Sequence, residues 1–220
     1  NKIDSNRLVL GITYNGEAKA YPIQFLAYHH QVQDSIGGKP LMITYCNVCR
    51  TGIVFEPIVN GNIETFRLIG MDQFNAMFED KRTKSWWRQA TGEAIAGKLK
   101  GKTLPEFPSI QTTISKWKEL YPNTLIMQPD EYYKAKYESL SNYENGNRIG
   151  RLTRRDTLSW QAKSWIVSVK VGKNSKAYDW NRLQKERIIY DIIDKLPIAV
   201  VLSKDNKSFV VLERINTEQT

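Results

Sequence analysis

From Leu8 to Ile69 the chain sets short apolar runs between closely spaced turn signals. Leu8 to Tyr14 is rich in β-branched and aromatic residues and is followed by Asn15-Gly16, a pair that accepts the positive φ angles of a tight hairpin. Two strands are predicted there, the second running through Ala20. Pro22 then suits the first turn of a short helix, Ile23 to about His29, where its missing N–H costs nothing. Val32 to Ile36 and Leu41 to Tyr45, joined across Gly37-Gly38, make a second hairpin, whose last strand is apolar enough to be buried on both faces. Gly52 to Ile58, Asn60-Gly61 and Ile63 to Ile69 make a third. The pattern predicts an α+β fold, β-rich with short helices, rather than a doubly wound sheet.

Residues 9–56 also lie over residues 166–213 without a gap, at an offset of 157 positions. Lys19, Ala20 and Tyr21 meet Lys176, Ala177 and Tyr178; Leu26 meets Leu183, Asp34 meets Asp191, Pro40 meets Pro197, and Glu56 meets Glu213. The expectation is one compact domain, 1–220, built from two related hairpin and short-helix units, with residues 57–165 inserted between them. The units differ where reactive side chains occur. His29 and His30 meet Glu186 and Arg187, while Cys46 and Cys49 meet Ser203 and Asn206. A residue the scaffold needs would be wanted in both copies, so the sulfur and imidazole serve something particular to the first.

Both cysteines lie in ITYCNVCRTG, residues 43–52, at a strand end. A continuing strand would send Cys46 and Cys49 to opposite faces, so the chain must turn at Asn47-Val48 for the sulfurs to meet. A converged pair suits a soft metal, thiol–disulfide exchange, or a structural disulfide. His29 and His30 are the chain's only two histidines, and as neighbours they diverge by about 100° on a helix. They do not share an ion in that geometry. A three-ligand centre of Cys46, Cys49 and His29 suits copper as Cu(I), ahead of zinc with an open position. Arg50 beside Cys49 favours a thiolate. Its presence where a haem-attachment motif needs His excludes c-type haem, and a thioredoxin-like pair would open a helix rather than end a strand.

A second polar and aromatic concentration follows at residues 79–107. Asp80, Thr83, Ser85 and Gln89 are suited to close hydrogen bonds around a buried turn while Trp86 and Trp87 pack the core; the other reading makes them the wall of a cleft over the cysteine loop. GKLKGK lacks the ending of a phosphate loop. Residues 128–160 read as a polar, tyrosine-rich linker, whose Arg148, Arg151, Arg154 and Arg155 offer contacts to an anion.

Composition narrows the classes. With 41% hydrophobic residues the chain can build a substantial core, and no run reaches the roughly 18 apolar residues of a membrane span. The net charge of +9 favours an anionic ligand or glycan, but it is spread along the chain as a solvated surface, which argues against nucleic acid. No serine-hydrolase elbow or paired catalytic carboxylates stand out.

AKAYPIQFLAYHHQVQDSIGGKPLMITYCNVCRTGIVF, with TKSWWRQATGEAIAGKLKGKTL, resembles the bacterial and archaeal family called domain of unknown function 3179. On that resemblance the family's histidine falls on His29, its aspartate on Asp34, its cysteines on Cys46 and Cys49 and its threonine on Thr51. The later signature falls on Asp80, Thr83, Ser85, Trp87, Gln89, Gly92, Ala94 and Gly97. His30 stands where Glu is usual, Gln33 replaces Asn, and Asn47-Val48 replaces Pro-Leu. The resemblance implies an exported protein in its mature form, periplasmic or extracellular and in some members lipid-anchored, a setting that favours a disulfide. It supplies no activity. The expected function is therefore a soluble exported protein whose Cys46, Cys49 and His29 bind copper or zinc. His30, Asp34, Tyr45, Arg50, Thr51 and the residues from Asp80 to Gln89 are expected around them. A thiol–disulfide oxidoreductase using Cys46 and Cys49, and a non-catalytic binding module with a structural disulfide, are the alternatives.

Overall fold

A computed structural model describes residues 3–140, 144, 146–147, 150, 152 and 154–218. The chain divides into two compact units, residues 1–144 and 145–220.

The first unit opens with β1 (Leu8–Tyr14), β2 (Glu17–Pro22), α1 (Ile23–His29), β3 (Gln31–Ile36), β4 (Lys39–Cys46) and β5 (Thr51–Phe55). The short pair β6 (Ile58–Val59) and β7 (Asn62–Ile63) leads to β8 (Phe66–Asp72), β9 (Asn75–Asp80), β10 (Trp86–Arg88) and β11 (Ala94–Ala96). Next come β12 (Glu106–Phe107), β13 (Ile110–Thr113), α2 (Ile114–Leu120), β14 (Leu125–Ile126), a 3-10 turn at Glu131–Tyr133 and α3 (Lys134–Ser139). The second unit holds β15 (Ile166–Val171), β16 (Asn174–Asp179), α4 (Trp180–Glu186), β17 (Ile188–Ile193), β18 (Leu196–Leu202) and β19 (Phe209–Glu213). The described chain is thus β-rich with few helices.

Three four-stranded sheets build the first unit, in the orders β13-β1-β2-β14, β12-β5-β4-β3 and β11-β10-β9-β8. The strands after residue 57 belong here because they complete these sheets: β13 pairs antiparallel with β1, β14 parallel with β2, and β12 antiparallel with β5. Most of the segment set between the two related stretches is therefore structural to the first of them.

Strand β4 organises the interior. Leu41 through Cys46 are all buried, and because side chains alternate along a strand they divide between two cores. Leu41, Ile43 and Tyr45 join Leu10, Tyr21 and Leu26 under α1. Met42 and Cys46 point the other way, to Phe55, Phe66, Phe78 and Trp87.

In β1, Gly11 makes room for α2: a Cβ there would stand 2.3 Å from the Trp117 ring. Residues 166–213 repeat the succession of residues 9–56, hairpin, short helix and further hairpin. The polar contacts correspond too. Lys19 and Tyr21 donate to the Asp34 carboxylate, Tyr21 at 2.7 Å, as Lys176 and Tyr178 donate to Asp191, Tyr178 at 2.8 Å. Asp34 is thus occupied in bracing β2 against β3. Among the described residues no helix is long and apolar enough to cross a membrane.

Candidate functional site

The cysteine loop is the turn between β4 and β5, where Cys46 is the strand partner of Thr51. The chain reverses over residues 47–50, with Arg50 in the left-handed region at φ 54°. Asn47 anchors the turn by donating from Nδ2 to Ala27 O at 2.5 Å, and Thr51 Oγ1 donates to Cys49 O at 3.1 Å. The Arg50 guanidinium reaches Glu144 O at 2.8 Å.

This reversal brings the sulfurs together as thiols, not joined in a disulfide, with Cys46 buried and Cys49 exposed. Cys49 N donates to Cys46 Sγ at 3.4 Å. Both thiols are directed at one carbonyl, Phe74 O, which lies 3.3 Å from Cys49 Sγ and 3.7 Å from Cys46 Sγ. A hydrogen bond from the Cys49 thiol, opposed by burial and helped by the backbone amides of Cys49, Ala76 and Val48, lowers the Cys46 pKa to about 6. Phe74 sits in the tight turn between β8 and β9, where Gln73 and Phe74 both take left-handed φ angles, 45° and 67°, without a glycine.

Beneath the loop lies a buried polar chain. Asn75 Nδ2 donates to Cys49 Sγ at 3.4 Å and to Gln89 Oε1 at 3.1 Å, while Asn75 Oδ1 accepts from Ala90 N at 2.8 Å. Gln89 Nε2 donates to Thr44 Oγ1 at 3.1 Å and Thr51 O at 3.0 Å, and Thr44 Oγ1 passes on to Ile53 O at 2.6 Å. Of the later signature residues, Gln89 is therefore hydrogen-bonded to the end of the cysteine loop, while Trp87 packs in the same core as Cys46.

The others close a turn between β9 and β10. The Asp80 carboxylate, fully buried, accepts from Thr83 N at 2.5 Å, Thr83 Oγ1 at 2.7 Å, Ser85 N at 3.1 Å and Trp87 Nε1 at 2.9 Å. Burial alone would raise its pKa, but the hydrogen bonds from Thr83 and Trp87 and the two amides outweigh it and hold the group below the usual carboxylate range. Gly97 lies against Ser85, where a Cβ would come within 2.6 Å of the Ser85 Cα. Trp87 is buried as expected, whereas Trp86 is partly exposed.

The two histidines part company at the end of α1. His29 turns to the tyrosines of the following segment: its Nε2 is hydrogen-bonded to Tyr137 OH at 2.7 Å, and the rings of Tyr28, Tyr133 and Tyr137 surround it at 5.0 to 5.7 Å. His30 caps α1 in the left-handed region, φ 62°, which swings its ring the other way. Its Nδ1 lies 3.4 Å from Tyr45 O. Burial disfavours the charged form of both rings and lowers both imidazole pKa values. Among the described residues no group of three or more His, Cys, Asp or Glu side chains is arranged to hold a metal, so the set Cys46, Cys49 and His29 is not brought together.

His30 instead lines a cavity of about 140 Å³ with Cys46, Asn47, Val48, Leu68 and Met71. Gln31 Nε2 donates to Phe66 O, and Phe66 N to Gln33 Oε1, which stitches β3 to the start of β8. Strand β8 borders the cavity where it bulges between Leu68 and Gly70. Tyr45 faces the opposite core, where burial raises its pKa. Sequence reasoning missed Phe74, Asn75, Thr44 and Met71.

Residues 128–160, read as a solvated linker, carry α3, and Tyr137 is buried against Phe25 and Tyr28. Arg155 stacks on Trp165, and Arg154 lies near Asp156; Arg148 and Arg151 lie outside the described residues. The family model described as "Protein of unknown function (DUF3179)" matches residues 1–220. No curated protein and no solved structure matches the chain.

Proposed function

Since the chain belongs to this family, for which no function is assigned, we propose its activity from the cysteine loop itself: thiol–disulfide exchange between Cys46, Cys49 and a partner disulfide. The observation that carries this reading is the convergence of two unjoined cysteines on Phe74 O, with Cys46 lining a cavity, Cys49 exposed, and the hydrogen bond from Cys49 lowering the Cys46 pKa. The Cys46 thiolate attacks one sulfur of the partner disulfide, forming a mixed disulfide and expelling the other sulfur as a thiolate. Cys49 then gives up its proton and attacks Cys46 Sγ. The Cys46–Cys49 disulfide forms, the partner's second sulfur leaves, and the two electrons have passed to the partner. The apolar cavity beside Cys46 supplies the approach to a sulfur that is otherwise covered.

Equilibration with glutathione buffers tests the reading. A reduction potential between about −120 and −270 mV is expected for an exchanging pair, and one below about −300 mV overturns it by marking a structural disulfide. Cys49→Ser is expected to trap the mixed disulfide on Cys46.

Two further readings accompany the activity. Residues 9–56 and 166–213 are copies of one ancestral unit, a reading supported by the matching Lys, Tyr and Asp contacts. The compartment is periplasmic or extracellular, as the family resemblance implies, where partner disulfides are abundant.

A further inference from the structure

Positions 30 and 187 end their helices alike. His30 N donates to Leu26 O and Arg187 N to Leu183 O, and both residues are left-handed, at φ 62° and 69°. Each backbone carbonyl then accepts from the following strand, His30 O from Tyr45 N at 2.9 Å and Arg187 O from Leu202 N at 2.8 Å. The side chains use this common frame differently.

In the second unit the guanidinium of Arg187 fills the loop. Its Nη2 donates to Leu202 O at 3.0 Å and to Ser203 O, and its Nη1 donates to Asn206 Oδ1. Ser203 and Asn206 stand where the first unit has Cys46 and Cys49. The shorter His30 keeps the contact equivalent to the first of these, with Tyr45 O at 3.4 Å, and borders a cavity rather than filling the loop. One loop thus carries a built-in cation among oxygens, and the other has two sulfurs, a cavity and an imidazole at the same positions.

We propose that the Cys46–Cys49 loop binds one Cu(I) ion, with the Met71 thioether as the third sulfur and His30 beside it. Thiolate and thioether are soft donors that select Cu(I), whereas zinc sites take three or four thiolate, imidazole or carboxylate ligands. Met71 borders the same cavity as Cys46, is 55% exposed, and its unbranched chain can swing toward the pair. Val48 and Leu68 give the cavity an apolar wall that restricts solvent access to a bound ion. Binding displaces thiol protons and transfers no electrons, so the inference does not depend on disulfide exchange.

The test is an anaerobic titration of the reduced full chain with Cu(I) against bicinchoninate as competing chelator. One Cu(I) per chain is expected, with an all-sulfur first shell by X-ray absorption. Met71→Leu and His30→Arg, the latter installing the second unit's guanidinium, are each expected to weaken binding at least about tenfold. Failure to reach one Cu(I) per chain, or wild-type affinity in either variant, overturns the proposal. The glutathione measurement above reads the exchange activity separately.

Discussion

The side-chain amide of Gln89 holds Thr51 O at 3.0 Å, where β5 leaves the cysteine loop. The same amide group donates to Thr44 Oγ1, and its oxygen accepts from Asn75, so one buried side chain connects both strands of the loop to the hairpin carrying Phe74.

Gln89→Ala is therefore expected to cost about 1–3 kcal/mol in urea unfolding, because buried Thr44, Thr51 and Asn75 groups lose their partner. An unchanged midpoint would show that the amide chain does not brace the loop.

Thiolate absorbance near 240 nm should titrate with a midpoint near pH 6 in the wild-type protein. Cys49→Ala removes the principal donor while burial remains, so the midpoint moves up. The linkage has a definite sign. A folded thiol that ionises below its ordinary 9.0 contributes stability that is fully present above that value and fades as pH falls through about 6. Cys49→Ala should flatten this part of the pH–stability curve.

Asp80→Asn should destabilise the protein by about 2–3 kcal/mol at neutral pH, since an amide cannot serve the donors of Thr83, Ser85 and Trp87 as a charged acceptor does. The depressed pKa of Asp80 stabilises the fold above the usual carboxylate range, and that contribution disappears as pH falls through the folded value. Urea midpoints of wild type and variant should therefore converge in acid.

Gly11→Ala should cost about 1–3 kcal/mol, because the new methyl would meet the Trp117 ring at 2.3 Å and must displace α2. Thermal unfolding followed by tryptophan fluorescence reads both the loss and the displaced ring.

Local signals carried much of this architecture. The Asn15-Gly16 hairpin, the helix Ile23–His29 and the β4 strand lie where the pattern of apolar runs and turn residues puts them. The reversal between Cys46 and Thr51 also follows from strand alternation alone. Partners brought from elsewhere in the chain were not legible. Phe74 and Asn75 meet the thiols because a hairpin 25 to 28 positions away folds over them, and no periodicity announces that contact. His29 and His30 differ by one position, and what separates their roles is the tyrosine face of α3. Polar neighbours disguised that face as linker. Asp80, Thr83, Ser85 and Trp87 form a compact motif whose demand is a well-closed turn, while Gln89, four residues beyond Ser85, serves the loop.

Strand β4 gives the sulfur chemistry a parity. Tyr45 and Cys46 look into different interiors, so inserting or deleting a single residue upstream within the strand would exchange them, turning the phenol toward Trp87 and the thiol toward Leu10. Transplanting this loop onto another protein accordingly requires a recipient strand of matching phase, with an apolar interior behind each side.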